Sequence, residues 1–233
     1  MLGKLKKSSF TQLYKGLRKK EGRILTDDQV KSLPQLSDHL LQNEWKLREE
    51  SSSRFLTHIK KKGPLTILEI GCGNGWFSHL LASVNNNQVL GQDINQFELE
   101  QAARCFKNAN LSFINCVDFS SLPNTSFDLI VFNASIHYFP SPTDLFKVLT
   151  EKLTSKGEIH VIDSPIYKII STAEAAKKRT QLYYKAKGFS ALSSFYFHHT
   201  QSAFSIKKMH YRPSRIQKIL GNKNPFQWIQ IKL

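Results

Sequence analysis

Cysteine is scarce in this chain: its 233 residues hold three, Cys72, Cys105 and Cys116. So small and odd a number excludes a disulfide framework and points to a reducing, cytoplasmic setting. Long apolar runs are absent too. No stretch approaches the ~18 residues that a membrane-spanning helix needs, and strand-like runs such as Phe127 to Phe132 are far shorter. Residues 1–10 carry three lysines with no apolar stretch behind them, so no secretory signal is expected. Neither an internal repeat nor a low-complexity segment is visible. Acidic residues are few, 18 against 33 Lys and Arg, which leaves a net charge of +15. The deficit is uneven. Residues 1–62 hold 15 basic and 7 acidic side chains, residues 63–163 hold 5 and 10, and residues 164–233 hold 13 and 1. An acidic middle is flanked by two basic segments. Basic surface concentrates anionic partners without saying which anion.

What is present is enough for a core: 40% of the residues are apolar. Residues 1–62 read as an amphipathic helical extension. Leu36, Leu40, Leu41, Trp45, Leu47, Phe55, Leu56 and Ile59 follow helical spacing, with Ser37 as the expected cap. Lys60-Lys61-Lys62 before Gly63-Pro64 reads as a helix stop. From residue 65 short apolar strands alternate with helical stretches. Strands are expected at Leu65–Ile70, Gln88–Ile94, Leu111–Val117, Phe127–Phe132 and Glu158–Asp163. Helices are expected at Gly75–Ser83, Glu98–Lys107 and Pro142–Leu153, with a turn at Lys156-Gly157. This alternation implies right-handed βαβ units and a mostly parallel sheet. Beyond residue 163 the pattern predicts a helix at Thr172–Lys187, strands at Ile206–Tyr211 and Phe226–Ile231, and a short helix Ser214–Leu220 closed by Gly221.

The densest chemistry lies in Leu68-Glu69-Ile70-Gly71-Cys72-Gly73-Asn74-Gly75-Trp76-Phe77, on the turn from first strand to first helix. Glycines there let a nucleotide-like ligand approach the main chain, and the helix start offers free N–H groups. A dinucleotide fold wants its third glycine at position 76, where this chain has Trp76. Glu69 suits a cationic or amino-bearing ligand better than a phosphate. Asp93 ends the second strand, where a carboxylate can accept both ribose hydroxyls; it is equally a helix cap. Asp118 follows the third strand and can accept from an adenine amino group while the Phe119 N–H meets a ring nitrogen; it is equally a turn former.

In these pieces the chain resembles the class I S-adenosylmethionine-dependent methyltransferases. The matching segments are Glu69–Gly75, Gly91-Gln92-Asp93-Ile94, Val117-Asp118-Phe119, Phe127–Asn133 and Gly157–Asp163. The resemblance is clear over about residues 64–163. It implies an α/β, Rossmann-like, doubly wound seven-stranded sheet with its last strand antiparallel, here residues 63–233 behind the extension 1–62. It implies S-adenosylmethionine as methyl donor and S-adenosylhomocysteine as product. Glu69, Gly71, Cys72, Gly73 and Gly75 would hold the methionine moiety and Asp93 the ribose. Ile94 would pack on adenine, Asp118 and Phe119 would read its edge, and Asn133 would lie near the amino group and sulfonium.

The motifs are nearly silent on the acceptor. His137, just past the fourth strand, is the candidate base if the acceptor is a hydroxyl or acid; its ordinary alternative is loop packing. Trp45, Tyr138, Asp163 and Tyr167 are the candidate acceptor contacts, each with packing or a turn as alternative. Adjacent His198 and His199 have no metal-ligand spacing around them, so no metal is expected. Position 133 opens Asn133-Ala134-Ser135-Ile136, without the Pro-Pro-aromatic of amino-methylating nucleic-acid enzymes, and no cysteine follows a proline. The first expectation is therefore methyl transfer to an O or N of a small-to-medium metabolite, which can be anionic. A second is an RNA methyltransferase that uses the basic, tyrosine-rich segment after residue 163. A third, from another class, is an NAD-dependent oxidoreductase, and a fourth a cofactor-binding protein without catalysis.

Overall fold

The computed structural model describes residues 4–37, 39–213 and 224–232; the expected helix Ser214–Leu220 and Gly221 lie outside them. Seven strands form one sheet: β1 Thr66–Ile70, β2 Gln88–Asp93, β3 Leu111–Asn115, β4 Phe127–Asn133, β5 Leu153–Ser164, β6 Ile206–Tyr211 and β7 Gln227–Ile231. Their order is β3-β2-β1-β4-β5-β7-β6. The first five run parallel, and β7 is antiparallel to both β5 and β6. The order reverses between β1 and β4, so a crevice opens at their carboxyl ends, where open α/β sheets bind ligands.

Both faces of the sheet are covered, which is why its central strands read as unbroken apolar runs. Ile67, Leu129 and Val131 face one cluster with Phe55, Ile59, Phe77 and Trp228. Leu68, Ile130 and Phe132 face the other with Phe146, Leu149 and Ile229. Helices α1 Lys4–Lys20, α2 Asp27–Ser32 and α3 Gln42–Ile59 precede the sheet. Phe55 and Ile59 are fully buried, so α3 belongs to the main core. Helix α2 starts in a capping box between Thr26 and Gln29. It is tied by Asp27 to Arg104 at 3.1 Å on α5 Gln96–Cys105. The other helices are α4 Trp76–Ala82, α6 Pro142–Thr150 and α7 Ile170–Lys187.

Two local expectations are corrected. Ser37 caps nothing: α3 begins at Gln42 with Leu41 at its cap position, and Leu40 is exposed. Helix α6 stops at Thr150, and Lys156-Gly157 lies inside β5 instead of turning into it. Leu153 pairs with Phe127 but Glu158 with Leu129, a register shift. Gly157 permits it, since a Cβ there would meet Leu153 Cβ at 2.8 Å and the Phe127 carbonyl at 3.0 Å.

A third cluster roofs the crevice: Phe10, Leu17, Tyr184 and Leu192, with Tyr14, Tyr138, Phe195 and Tyr196 packed against them. It joins α1 to α7 and to the 3-10 segment Ser190–Phe195. Lys20 Nζ donates to the Lys187 carbonyl at 3.0 Å, and Tyr183 donates to Glu21. The two basic ends of the sequence therefore meet above the acidic middle.

Candidate functional site

The crevice holds a cavity of about 720 Å³. Of the residues expected around a cofactor, Glu69, Gly71, Cys72, Gly73, Asp93, Ile94, Asp118, Phe119 and Asn133 line it, as do Trp45 and Tyr138. Gly75 is not in its wall. Its left-handed φ of 77° caps α4, and a Cβ there would meet Phe113 at 2.7 Å and Ala102 at 2.8 Å. Gly75 thus serves the turn rather than a ligand. Gly71, at φ 74°, does border the cavity, and a Cβ there would lie 2.5 Å from that of Ser135.

The amides of the turn itself are largely engaged. Gly71 N and Cys72 N donate to the Gln92 carbonyl at 2.7 and 2.9 Å, and Gly75 N to that of Cys72 at 3.0 Å. Gly73 N donates to Asp93 Oδ2 at 2.9 Å. The turn offers shape more than a phosphate cradle, the opposite of what a pyrophosphate site needs.

Two carboxyls stand out in the floor. Glu69 is 1% exposed, and Ser78 Oγ donates to it. Burial pushes its pKa up to about 8, with Asp93 adding to the rise. Asp93 accepts from Asn95 N at 2.8 Å and Asn95 Nδ2 at 2.9 Å. Burial raises it despite these donors. Asp118 is exposed and caps its turn by accepting from Ser120 N at 3.0 Å and Ser120 Oγ at 2.7 Å. Those two bonds hold its carboxyl below the usual range. The turn reading of Asp118 holds, whereas Asp93 does not cap the helix. Asn95 stands at the cap position of α5, without a side-chain cap bond, and Asp93 bonds back to it and to Gly73. Both carboxyls also line the cavity. Asn133 Oδ1 and Asn95 Oδ1 are buried without a partner, an arrangement that a donor-bearing ligand would complete.

A second cavity of about 390 Å³ adjoins the first, and Phe10, Tyr14, Arg18, Ala134 and Tyr138 line both. His137, Asp163 and Tyr167 border the second. His137 sits on the 3-10 turn Ile136–Tyr138. Its Nδ1 is buried without a partner. Burial, then the charges of Arg18 and Arg48, pushes its pKa down to about 3. Asp163 Oδ2 accepts from Ser51 at 2.6 Å and Oδ1 from Asn224 at 3.3 Å, which ties α3 to the end of β5. Asp163 and Ala134, on adjacent strands, both hold left-handed φ angles, 48° and 53°. Such strain collects where structure is built for a ligand.

Sequence reasoning missed Tyr14, Arg18, Arg23, Glu44, Arg48 and Glu98. Glu98 lines the first cavity, with its pKa pushed up to about 7 by burial. It is the one with a signal, since it stands one turn into the helix after Asp93. The others lie on or beside α1 and α3, which carry no strand-end landmark.

Neither His198 nor His199 faces a metal set. His198 Nε2 pairs with Thr180 Oγ1, and His199 Nε2 donates to the Phe139 carbonyl, each at 2.9 Å. Among the described residues, His58, Glu158 and His160 are close enough to share an ion. Proton accounting opposes one. Trp228 donates to His160 Nδ1 at 2.9 Å, which leaves the proton on Nε2, 2.9 Å from Glu158. Glu158 also takes Lys62 at 2.7 Å. His160 and Glu158 are thus engaged with each other, while His58 Nε2 is buried without a partner.

The family profile described as "Methyltransferase domain" matches residues 60–220. A tRNA U34 carboxymethyltransferase of Haemophilus ducreyi is 26% identical over 154 residues, 62% of this chain and 47% of that protein. A malonyl-[acyl-carrier protein] O-methyltransferase of Legionella pneumophila is 30% identical over 117 residues, 48% of this chain and 41% of that protein. The chain thus spans less than half the length of either. A solved S-adenosylmethionine-dependent methyltransferase of Mesorhizobium loti shares the fold, with a TM-score of 0.55 and 19% identity over 79% of this chain and 98% of that one. The profile covers well over half of the chain, and with the sheet order and crevice described above it makes this protein a member of the methyltransferase-domain family, a class I enzyme fold whose methyl donor is S-adenosylmethionine.

Proposed function

We propose that this chain transfers a methyl group to an O or N atom of a small-to-medium metabolite bound in the second cavity. The observation that carries the reading is the junction of the two cavities at Ala134 and Tyr138, beside the unpartnered His137 Nδ1. The donor supplies a carbon already activated by a sulfonium, so the protein has mainly to align a nucleophile and exclude water. The first cavity fits that donor. Glu69 is a buried carboxyl with room for a cationic amino group, and the orphaned Asn133 Oδ1 can accept a hydrogen from it. Asp93 would take the ribose hydroxyls, Ile94 a face of the adenine, and Asp118 with Phe119 its edge. Gly71, Cys72 and Gly73 leave the space that the methionine chain needs.

On the acceptor side, burial and the charges of Arg18 and Arg48 favour neutral His137 and weaken it as a base. Its free Nδ1 would therefore accept a hydrogen bond from a hydroxyl and orient it, taking the proton only as the methyl group is transferred. Tyr138 and Tyr167 would flank the acceptor, and Trp45, edge-on to Trp76 at 5.3 Å between ring centroids, would close the donor side. Asp163 would hold the wall through Ser51 and Asn224. Helix α1, seated on the third cluster, would act as a lid over the acceptor, while α2 and α3 are built into the core of the catalytic domain that continues from residue 63. The Legionella relative is an O-methyltransferase, which fits an oxygen acceptor. A cytoplasmic setting is supported by three free cysteines, and no described helix is long and apolar enough to cross a membrane.

RNA is the second acceptor reading. Lys177, Lys178, Arg179 and Lys185 project from the exposed face of α7, and the Haemophilus relative is a tRNA enzyme. The experiment is incubation with methyl-labelled donor and, separately, a metabolite extract and total RNA. Label in small molecules supports the first reading. Label in RNA, lost steeply with added salt, replaces it with the second. Label in neither, with S-adenosylhomocysteine bound, would leave a binding protein without catalysis.

A further inference from the structure

Five ionic side chains from α1, α3 and the loop between α1 and α2 stand in one row beside the second cavity. Arg18 Nη1 lies 3.4 Å from Glu21 Oε2, and that oxygen 3.2 Å from Arg23 Nε. Arg23 Nη2 lies 2.7 Å from Glu44 Oε2, and Glu44 Oε1 2.8 Å from Arg48 Nη2. Three guanidiniums share two carboxylates, so one positive charge is in excess. The three arginines line both cavities, and Arg48 Nε is buried without a partner. Among the described residues no third carboxylate forms an ion pair with the row; Glu98 feels the charge of Arg18, but burial pushes its pKa up to about 7. Asp163 has its oxygens engaged by Ser51 and Asn224, and burial biases it towards its neutral form. The three side chains are about a quarter exposed, but the buried and unpartnered Arg48 Nε is a donor that a ligand would complete. Across from the row the wall is aromatic: Tyr138 and Tyr196 stand edge-on at 5.9 Å, with the His137 ring 4.3 and 4.5 Å from them. The volume, about 390 Å³, falls within the roughly 300–1,000 Å³ of small-ligand pockets.

We propose that Arg18, Arg23 and Arg48 recognise an anionic group, carboxylate or phosphate, on the methyl acceptor, while the tyrosine wall holds a flat acceptor body. The inference rests on the second cavity being the acceptor site. An anion placed there also fits the wider field, since the roof above it is built from the basic ends of the chain. Planar, bidentate recognition of this kind is what arginine does better than lysine.

The test uses the full chain with S-adenosylhomocysteine at saturation. Calorimetric binding is compared for 4-hydroxybenzoate, phenyl phosphate and neutral 4-hydroxybenzamide. At least one acid should bind ten times or more tighter than the amide, and the tighter one tells carboxylate from phosphate. Arg48→Gln and, independently, Arg18→Gln should each weaken the acid at least tenfold and leave S-adenosylhomocysteine affinity within threefold. Arg48→Lys, which keeps the charge, should recover only part of the loss and guards against a folding defect in Arg48→Gln. Equal binding of acid and amide, or no acid binding, overturns the proposal while the donor site stands. Loss of S-adenosylhomocysteine affinity in Arg48→Gln, with 5′-methylthioadenosine affinity unchanged, overturns it too, because the guanidinium would then serve the donor's own carboxylate. Failure of the wild-type chain to bind S-adenosylhomocysteine would instead strike the reading beneath it.

Discussion

Both cavities are walled by α1 and α3, but the first rests on the carboxyl ends of β1, β2 and β4, while the second reaches under α7 and Leu192. The floor residues come from one stretch, Glu69 to Asn133, and each follows a strand in regular order. The wall residues come from both ends of the chain, with Arg18 and Tyr184 separated by most of the sequence. The floor is held by backbone pairing and by side chains that are almost fully enclosed. The wall is held by one small aromatic cluster and a row of ion pairs. A parallel sheet dictates where its loops emerge, so the donor site is inherited from the fold. The wall is added to it, and under the proposed function it is there that the acceptor would be chosen.

If the floor works as proposed, Asp93→Ala should have the largest effect. Loss of charge-assisted bonds to two ribose hydroxyls should cost about 3–5 kcal/mol of binding, at least ~100-fold in the affinity for S-adenosylhomocysteine by calorimetry. Stabilisation by that ligand, absent with NAD, should vanish in the variant. A variant that binds normally would leave Asp93 only as the internal partner of Gly73 and Asn95 and break the assignment of the floor.

Gly71→Ala should come next, through folding. It forces a non-glycine residue into φ 74° and a Cβ to 2.5 Å from that of Ser135. Strain and overlap together should cost about 2–4 kcal/mol, a fall in Tm of roughly 4–16 °C at about 2–4 °C per kcal/mol. Gly188→Ala shares a left-handed φ, 79°, but has open space around it, and should cost only the ~1–2 kcal/mol of the dihedral.

This contrast also explains what the sequence could disclose. Short apolar runs marked β1, β2 and β4 to within a residue, and the carboxyl ends of those strands carry Glu69, Asp93 and Asn133, which line the first cavity. Gly75 looked like its neighbours because a glycine needed for packing under Phe113 and one needed beside a ligand are the same letter. The β5 bulge was hidden because Lys156-Gly157 is a turn signal in any other setting. Arg18 and Arg48 were invisible as site residues. Among 33 basic residues, nothing local separates an arginine turned into a cavity from a solvated one. Only the packing of α1 and α3 over the sheet does so.

The third expectation concerns pH. Burial raises Glu69 to about 8 and Glu98 to about 7, so above pH 6.5 the folded state binds more protons than the unfolded chain. Stability of the ligand-free protein should therefore fall from pH 6.5 to 8. Below 6.5 the sign reverses in part, because burial lowers His58 to about 4 and His137 to about 3. These folded-state histidines bind fewer protons than unfolded ones, so their contribution rises with pH up to that point. A Tm-against-pH profile should be domed. Saturating S-adenosylhomocysteine should flatten its upper limb, because an ammonium beside Glu69 holds that carboxylate ionised. Glu69→Gln should flatten it without ligand. An upper limb unchanged by both would remove Glu69 from the donor site.

The smallest effect on global stability should come from the wall itself. Leu192 is 3% exposed, but within a cluster separate from the two that cover the sheet; Ile94, just past β2, and Tyr138, on the turn after β4, pack against it. Truncating a buried leucine in a main core costs about 2–5 kcal/mol. In Leu192→Ala the loss should be local, since a peripheral cluster can open without the sheet unfolding. Hydrogen exchange should quicken in α1 and in Ser190–Phe195, while the β1 and β4 amides keep their protection and Tm moves by less than about 3 °C. If the sheet amides lose protection together with the wall, floor and wall are one cooperative unit, and the acceptor side could not vary independently of the donor side.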